Sequence, residues 1–118
     1  MRRGFLTRLS LLTLVGSAWA QVLSSTPTEI LTNADRFDRQ PVIVTGVIMN
    51  VQERVSRAGN PYYTVDLTDG KQAVRVFSFG AVPCRSGAAT VEGQFEKVKQ
   101  QGRYTFYNEV TATKVTCR

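Results

Sequence analysis

A chain of 118 residues with no histidine, 15 lysines and arginines against 9 acidic residues, and a formal charge of +6 has room for one small domain and one modest core, not two. The missing histidine removes the commonest general base and the usual partner of a nucleophilic serine or cysteine.

The first twenty residues read as an export signal. Arg2 and Arg3 give a positive start, Leu9 to Val15 an apolar run, and Ala18-Trp19-Ala20 a small-x-small cleavage site before Gln21. Crossing a bilayer takes about 20 apolar residues, and Arg8 interrupts this stretch, so a membrane span is not expected. The opening "RRGFL" resembles the twin-arginine export motif, while the general secretory route fits as well. No cysteine follows the cleavage site, so no lipid anchor is expected. Residues 21–118 then carry 12 basic and 9 acidic groups. Half of the apparent basicity is targeting signal, and what bears on a nucleic-acid partner is where the remaining charges cluster. The expected location is periplasmic or secreted.

Residues 21–41 form a lead-in with a helix signature. Thr26 can cap, Pro27 takes the first helical position, Glu29 completes a capping box, and Ile30, Leu31, Ala34 and Phe37 recur at helical spacing. Pro41 stops the helix, and the pattern changes to period two.

Residues 42–118 hold five strand-like runs separated by turn residues. The first, Val42 to Val55, alternates from Val42 and Val44. Gly46 is expected to bulge, with Val47, Met49 and Val51 resuming on the shifted register. So long a strand suits a small barrel in which it serves both halves of a closed sheet. "SRAGNP" turns into Tyr62 to Leu67, "TDGK" into Ala73 to Phe79, and Thr90 to Lys99 is joined by "QQG" to Tyr104 to Val115. Cys84 and Cys117 allow one pairing, and an even count in an exported chain favours a disulfide. A redox or metal-binding thiol pair lacks both the CxxC spacing and a histidine.

This order of elements resembles the OB-fold, in particular nucleic-acid-binding barrels of the tRNA-anticodon-binding type and small exported bacterial OB-fold proteins. The resemblance rests on Val42, Val44, Gly46, Val47, Arg57, Gly59, Leu67, Asp69 and Gly70. It implies an all-β, five-stranded Greek-key barrel with a short N-terminal α-helix. Many OB-folds carry a helix between their third and fourth strands, for which "GAVPCRSGAA" is too short; the N-terminal helix is expected to plug the barrel instead. The third and fifth strands of such a barrel run parallel, which would bring Cys84 and Cys117 to the same end, within bridging distance.

Asp66 and Asp69 are the nearest thing to a carboxylate pair, but on a strand they point to opposite faces, and Asp69 with Gly70 reads as a turn. No enzyme, metal or cofactor is expected. The positive signal is a surface. If Val74 and Val76 face inward, Arg75, Phe77 and Phe79 share the outer face of the third strand, and Tyr62 with Thr64 that of the second. The resemblance implies that bases stack there. Arg54 and Arg57 flank this face from one loop and Lys97, Lys99 and Arg103 from another, against Glu53 and Glu96. The competing reading packs Phe77 and Phe79 under the N-terminal helix and leaves the basic residues as solvated surface. Single-stranded nucleic acid is the expected partner; a protein or small anionic ligand is the alternative, with the barrel a scaffold in an envelope or stress-related role.

Overall fold

The computed structural model describes residues 22–118, and the signal expected over residues 1–20 lies outside them. A short strand β1 (Ser24–Ser25) precedes helices α1 (Pro27–Thr32) and α2 (Ala34–Phe37). Strands β2 (Gln40–Val55), β3 (Pro61–Thr68), β4 (Ala73–Phe79), β5 (Ala88–Gln101) and β6 (Tyr104–Cys117) follow. The long strands are hydrogen-bonded in the order β2-β3-β4-β6-β5, and β5 returns to β2, so the sheet closes. Within that ring only β4 and β6 run parallel. The result is the expected all-β architecture, an OB-like Greek-key barrel.

Closure depends on β2. Gln40 to Val47 pairs with β5, and Val47 to Val55 pairs with β3, so the strand passes from one half of the barrel to the other at Val47. Gly46 sits just before this crossover because nothing larger fits: a Cβ there would lie 2.8 Å from the Thr68 carbonyl oxygen and 3.0 Å from Leu67 Cγ. The bulge expected at Gly46 is absent. Val42, Val44 and Ile48 keep one continuous buried face, while Val47 and Met49 point outward. The register instead shifts between Met49 and Gln52. Asn50 takes φ 52° there, a left-handed conformation that asparagine tolerates better than most residues, and its Nδ2 donates to Asp66 Oδ2 at 2.7 Å.

The capping box forms as the sequence suggests: Thr26 Oγ1 accepts from the Glu29 amide and Glu29 Oε1 from the Thr26 amide. The helix is broken into two pieces at Asn33, which ends α1 and opens α2. Fully buried Ile30 enters the barrel core from α1, and the partly buried Leu31, Ala34 and Phe37 pack against that core. The Thr28 amide donates to Asp69 Oδ2 at 2.9 Å, fastening the helix to the β3–β4 turn. Residues 24 and 25 extend the sheet by pairing parallel with Ile43 and Val44. They occupy the edge of β2 that β3 leaves uncovered, which a polar lead-in did not announce.

The core gathers Val42, Val44, Val65, Leu67, Val74, Val76, Val91, Phe95 and Val110, all almost fully buried. Burying such a side chain completely stabilises by about 1.5–3 kcal/mol. Gly93 lies in the same layer, where a Cβ would meet the Thr111 carbonyl oxygen at 2.1 Å. Between β4 and β5 the chain runs through a series of bends with no helix. Cys84 in that connection is bonded to Cys117 at the end of β6, with Cα atoms 6.0 Å apart. Because β4 and β6 are parallel, both cysteines lie beyond the same barrel end.

Candidate nucleic-acid interface

Strand alternation builds the site. In β4, Val74 and Val76 enter the core, so Arg75, Phe77 and Phe79 point outward; in β3, Tyr63, Val65 and Leu67 enter it, so Tyr62 and Thr64 point outward. The register sets Tyr62 opposite Phe79 and Thr64 opposite Phe77. On the other side of β4, Arg75 is level with Glu109 and Phe77 with Thr111.

The same alternation in β6 would turn Tyr107 toward this face. Asn108 prevents it: at φ 53° it reverses the facing of the strand, so Phe106 and Tyr104 line the groove and Tyr107 does not. The groove has a volume of about 460 Å³. One aromatic cluster comes from β3 and β4, with ring centroids 5.3 Å apart for Tyr62 and Phe77 and 5.1 Å apart, edge to face, for Phe77 and Phe79. A second comes from β6, with Tyr104 and Phe106 6.5 Å apart. Ser56 and Gln101 complete the rim.

Where the two clusters meet lies an ion triad. Arg75 Nε donates to Glu109 Oε2 at 2.7 Å, and Lys99 Nζ donates to Glu109 Oε1 at 2.9 Å and to Thr111 Oγ1 at 3.2 Å. Glu109 is 1% exposed, Lys99 14% and Arg75 44%. A carboxylate so deeply buried is tolerable because both oxygens accept charged hydrogen bonds. Two cations share it, leaving one net positive charge on the groove floor. Both cations also lie over aromatic faces: Lys99 Nζ is 4.3 Å from the Phe77 centroid and the Arg75 guanidinium 5.4 Å from that of Phe106.

The residues expected from the sequence separate accordingly. Tyr62, Arg75, Phe77 and Phe79 are brought together in the groove. Phe77 is 9% exposed and Phe79 62%, so the two differ in kind: Phe77 is a floor and Phe79 a wall. Phe77 is indeed packed, as the competing reading has it, but on the outer face beneath Lys99 rather than under the helix. Lys99 reaches the groove with its charge already engaged. Lys97 is engaged elsewhere. Its ammonium pairs with Asp35 of α2 and its amide donates to Asp38 Oδ1 at 2.9 Å, so it ties the helix to β5 away from the groove. The Asp35 carboxylate raises its pKa above the ordinary lysine value.

Arg54 belongs to β2 rather than to a loop and is the cross-strand partner of Tyr62, its guanidinium donating to Gln52 Oε1 at 2.7 Å. Arg57 is exposed in the Ser56 to Asn60 turn and Arg103 at the β5–β6 turn beside Tyr104. Glu53 is neutralised by Arg85. Asp66 and Asp69 are engaged separately, Asp66 by Asn50 and Asp69 by the amides of Thr28, Lys71 and Gln72. Those amides, Gln72 first, hold Asp69 well below the ordinary carboxylate range.

Sequence reasoning missed Tyr104, Phe106 and Glu109. The alternation in "YTF" carried a signal for the two aromatics. The burial of Glu109 depends on partners 10 and 34 residues away and had none.

The chain is thus a closed Greek-key barrel with an aromatic, cationic groove over β3, β4 and β6. No family model matches the chain, and no curated protein matches it. Solved structures share its fold, two of them as follows. One is RecG bound to a three-way DNA junction: 17% identity, TM-score 0.58, covering 81% of this chain and 13% of RecG. The chain therefore corresponds to a small part of RecG. The other is a "putative nucleic acid-binding lipoprotein" from Klebsiella pneumoniae: 19% identity, TM-score 0.57, covering 84% of this chain and 95% of that one. At these identities the likeness is one of fold.

Proposed function

We propose that the domain is an exported, non-catalytic module that binds single-stranded nucleic acid in the groove over β3, β4 and β6. The observation that carries this reading is the meeting of two aromatic clusters around Arg75 and Glu109 in a groove of about 460 Å³, large enough to admit unstacked bases. Tyr62, Phe79 and Tyr104 offer ring faces, each stacking contact contributing about 1–3 kcal/mol with little dependence on sequence. Arg54, Arg57 and Arg103 stand around the rim and neutralise phosphates, while Phe77 and Lys99 support the floor. The nucleic-acid roles in the names of the two structural neighbours and the disulfide, a bond of oxidising compartments, support binding and export respectively. The ligand in a periplasmic or secreted setting is extracellular or imported nucleic acid.

Titration of the protein with labelled oligo-dT of about 15 nucleotides at two salt concentrations tests the reading, since one barrel covers about 4–16 nucleotides and affinity falls steeply with salt. Binding at low salt that weakens as salt rises is the expected result. No binding at low salt refutes it, and equal binding of an acidic peptide reduces it to general charge attraction, which favours the protein or small-anion alternative.

A further inference from the structure

We infer that Arg75 makes this groove selective for guanine, an assignment that rests on the nucleic-acid reading above. Arg75 is unlike every other cation near the groove. Its Nε is held by Glu109 at 2.7 Å and its guanidinium carbon sits 5.4 Å from the Phe106 ring centroid, so the guanidinium is restrained on two sides. Among the described residues its two terminal nitrogens make no hydrogen bond, and its side chain is 44% exposed. It therefore presents a restrained pair of donors into a space walled by rings. Lys99 cannot do this, because its side chain is 14% exposed and its ammonium already donates to Glu109 and Thr111. Nor can Glu109 accept from a ligand, being 1% exposed with both oxygens in use.

The position within the groove decides what such a fork meets. Arg54, Arg57 and Arg103 lie outside the lining, where a charged backbone remains hydrated, whereas Arg75 is part of the lining itself, beside Tyr62, Phe79 and Tyr104, on whose faces a base would stack. A base edge matching two parallel donors must offer two adjacent acceptors. Guanine does so with N7 and O6, adenine pairs N7 with an amino donor, and thymine offers a single acceptor beside its methyl group. The larger purine ring also covers more of the aromatic walls than cytosine, whose N3 and O2 are the nearest rival pair.

The test compares oligonucleotides of about 10 nucleotides, within the span of one barrel: all thymine, alternating thymine and guanine, alternating thymine and cytosine, and the guanine oligonucleotide with 7-deazaguanine throughout. The guanine oligonucleotide is expected to bind about tenfold more tightly than the thymine one, and 7-deazaguanine, which keeps the ring area and loses N7, to abolish that excess. In Arg75→Lys, which keeps the charge and loses the fork, the guanine-to-thymine ratio is expected to fall to about one. The 7-deazaguanine arm uses the unaltered protein and so is independent of how the variant folds. Equal binding of guanine and thymine oligonucleotides, an undiminished excess with 7-deazaguanine, or a preference for cytosine overturns the assignment while leaving nucleic-acid binding intact. Binding of none of the four overturns both.

Discussion

Lys99 and Glu109 face each other across the β5–β6 hairpin, ammonium to carboxylate at 2.9 Å, and both are nearly withdrawn from solvent. Arg75 completes the arrangement from β4, so one carboxylate joins three strands of the barrel wall. Removing it in Glu109→Ala strands Lys99 in a low-dielectric site and is expected to lower stability by about 3 kcal/mol in urea unfolding. Glu109→Gln keeps the shape and leaves two cations uncompensated; its oligonucleotide affinity should depend more steeply on salt, the slope rising by about one. A Glu109→Ala protein as stable as the parent would show that the triad does not hold the wall together.

Phe77 and Phe79 stand two residues apart on the same face, yet their burial assigns them opposite behaviour. Phe79→Ala, at an exposed wall, should change stability by no more than about 0.5 kcal/mol and weaken oligonucleotide binding by about 1–3 kcal/mol. Phe77→Ala should cost about 3 kcal/mol of folding stability, because the ring fills the space between Tyr62, Phe79 and the Lys99 ammonium. Thermal melts paired with titrations separate the two. Equal destabilisation by both substitutions would contradict the division into floor and wall.

The disulfide joins Cys84 and Cys117 across a sequence separation of 33, and its constraint on the unfolded chain contributes about 3–4 kcal/mol in the chain-entropy model. Reduction and alkylation should therefore lower the melting temperature by more than about 10 °C in a domain of this size. Mass spectrometry before and after reduction establishes that the bond was present. Two free thiols in native protein would contradict the pairing.

What the sequence made legible was whatever depends on neighbours in the chain. The capping box of Thr26 and Glu29, the turn at Asp69 and Gly70, and the period-two runs of β3 and β4 all follow from local chemistry, and the parallel β4–β6 pair made the disulfide a matter of topology. The errors share one cause. Gly46 looked like a bulge because glycine permits one, but it is glycine because β3 passes too close for a Cβ. Two irregularities, at Asn50 and Asn108, reside in backbone angles that an asparagine allows without advertising, and a third is the register shift between Glu92 and Gly93. The reversal at Asn108 sets Phe106 rather than Tyr107 in the groove, and the ion pair of Lys97 depends on Asp35, 62 residues away, which no local pattern announces.

Asp69 gives the domain a pH dependence with a definite sign. Its carboxylate accepts from the Gln72 and Lys71 amides through Oδ1 and from the Thr28 amide through Oδ2, so the folded chain favours the ionised form and its pKa lies far below the unfolded value of 3.8. In the interval between those two values the unfolded chain binds more protons than the folded one, and stability must fall as pH falls through it. The contribution is fully present above the unfolded value. Urea midpoints should accordingly decline from about pH 5 to about pH 2, and Asp69→Asn, which cannot ionise, should flatten that decline while lowering stability at neutral pH through the loosened α1. Parallel acid curves for the two proteins would show that these amides do not hold the Asp69 carboxylate ionised in the folded chain.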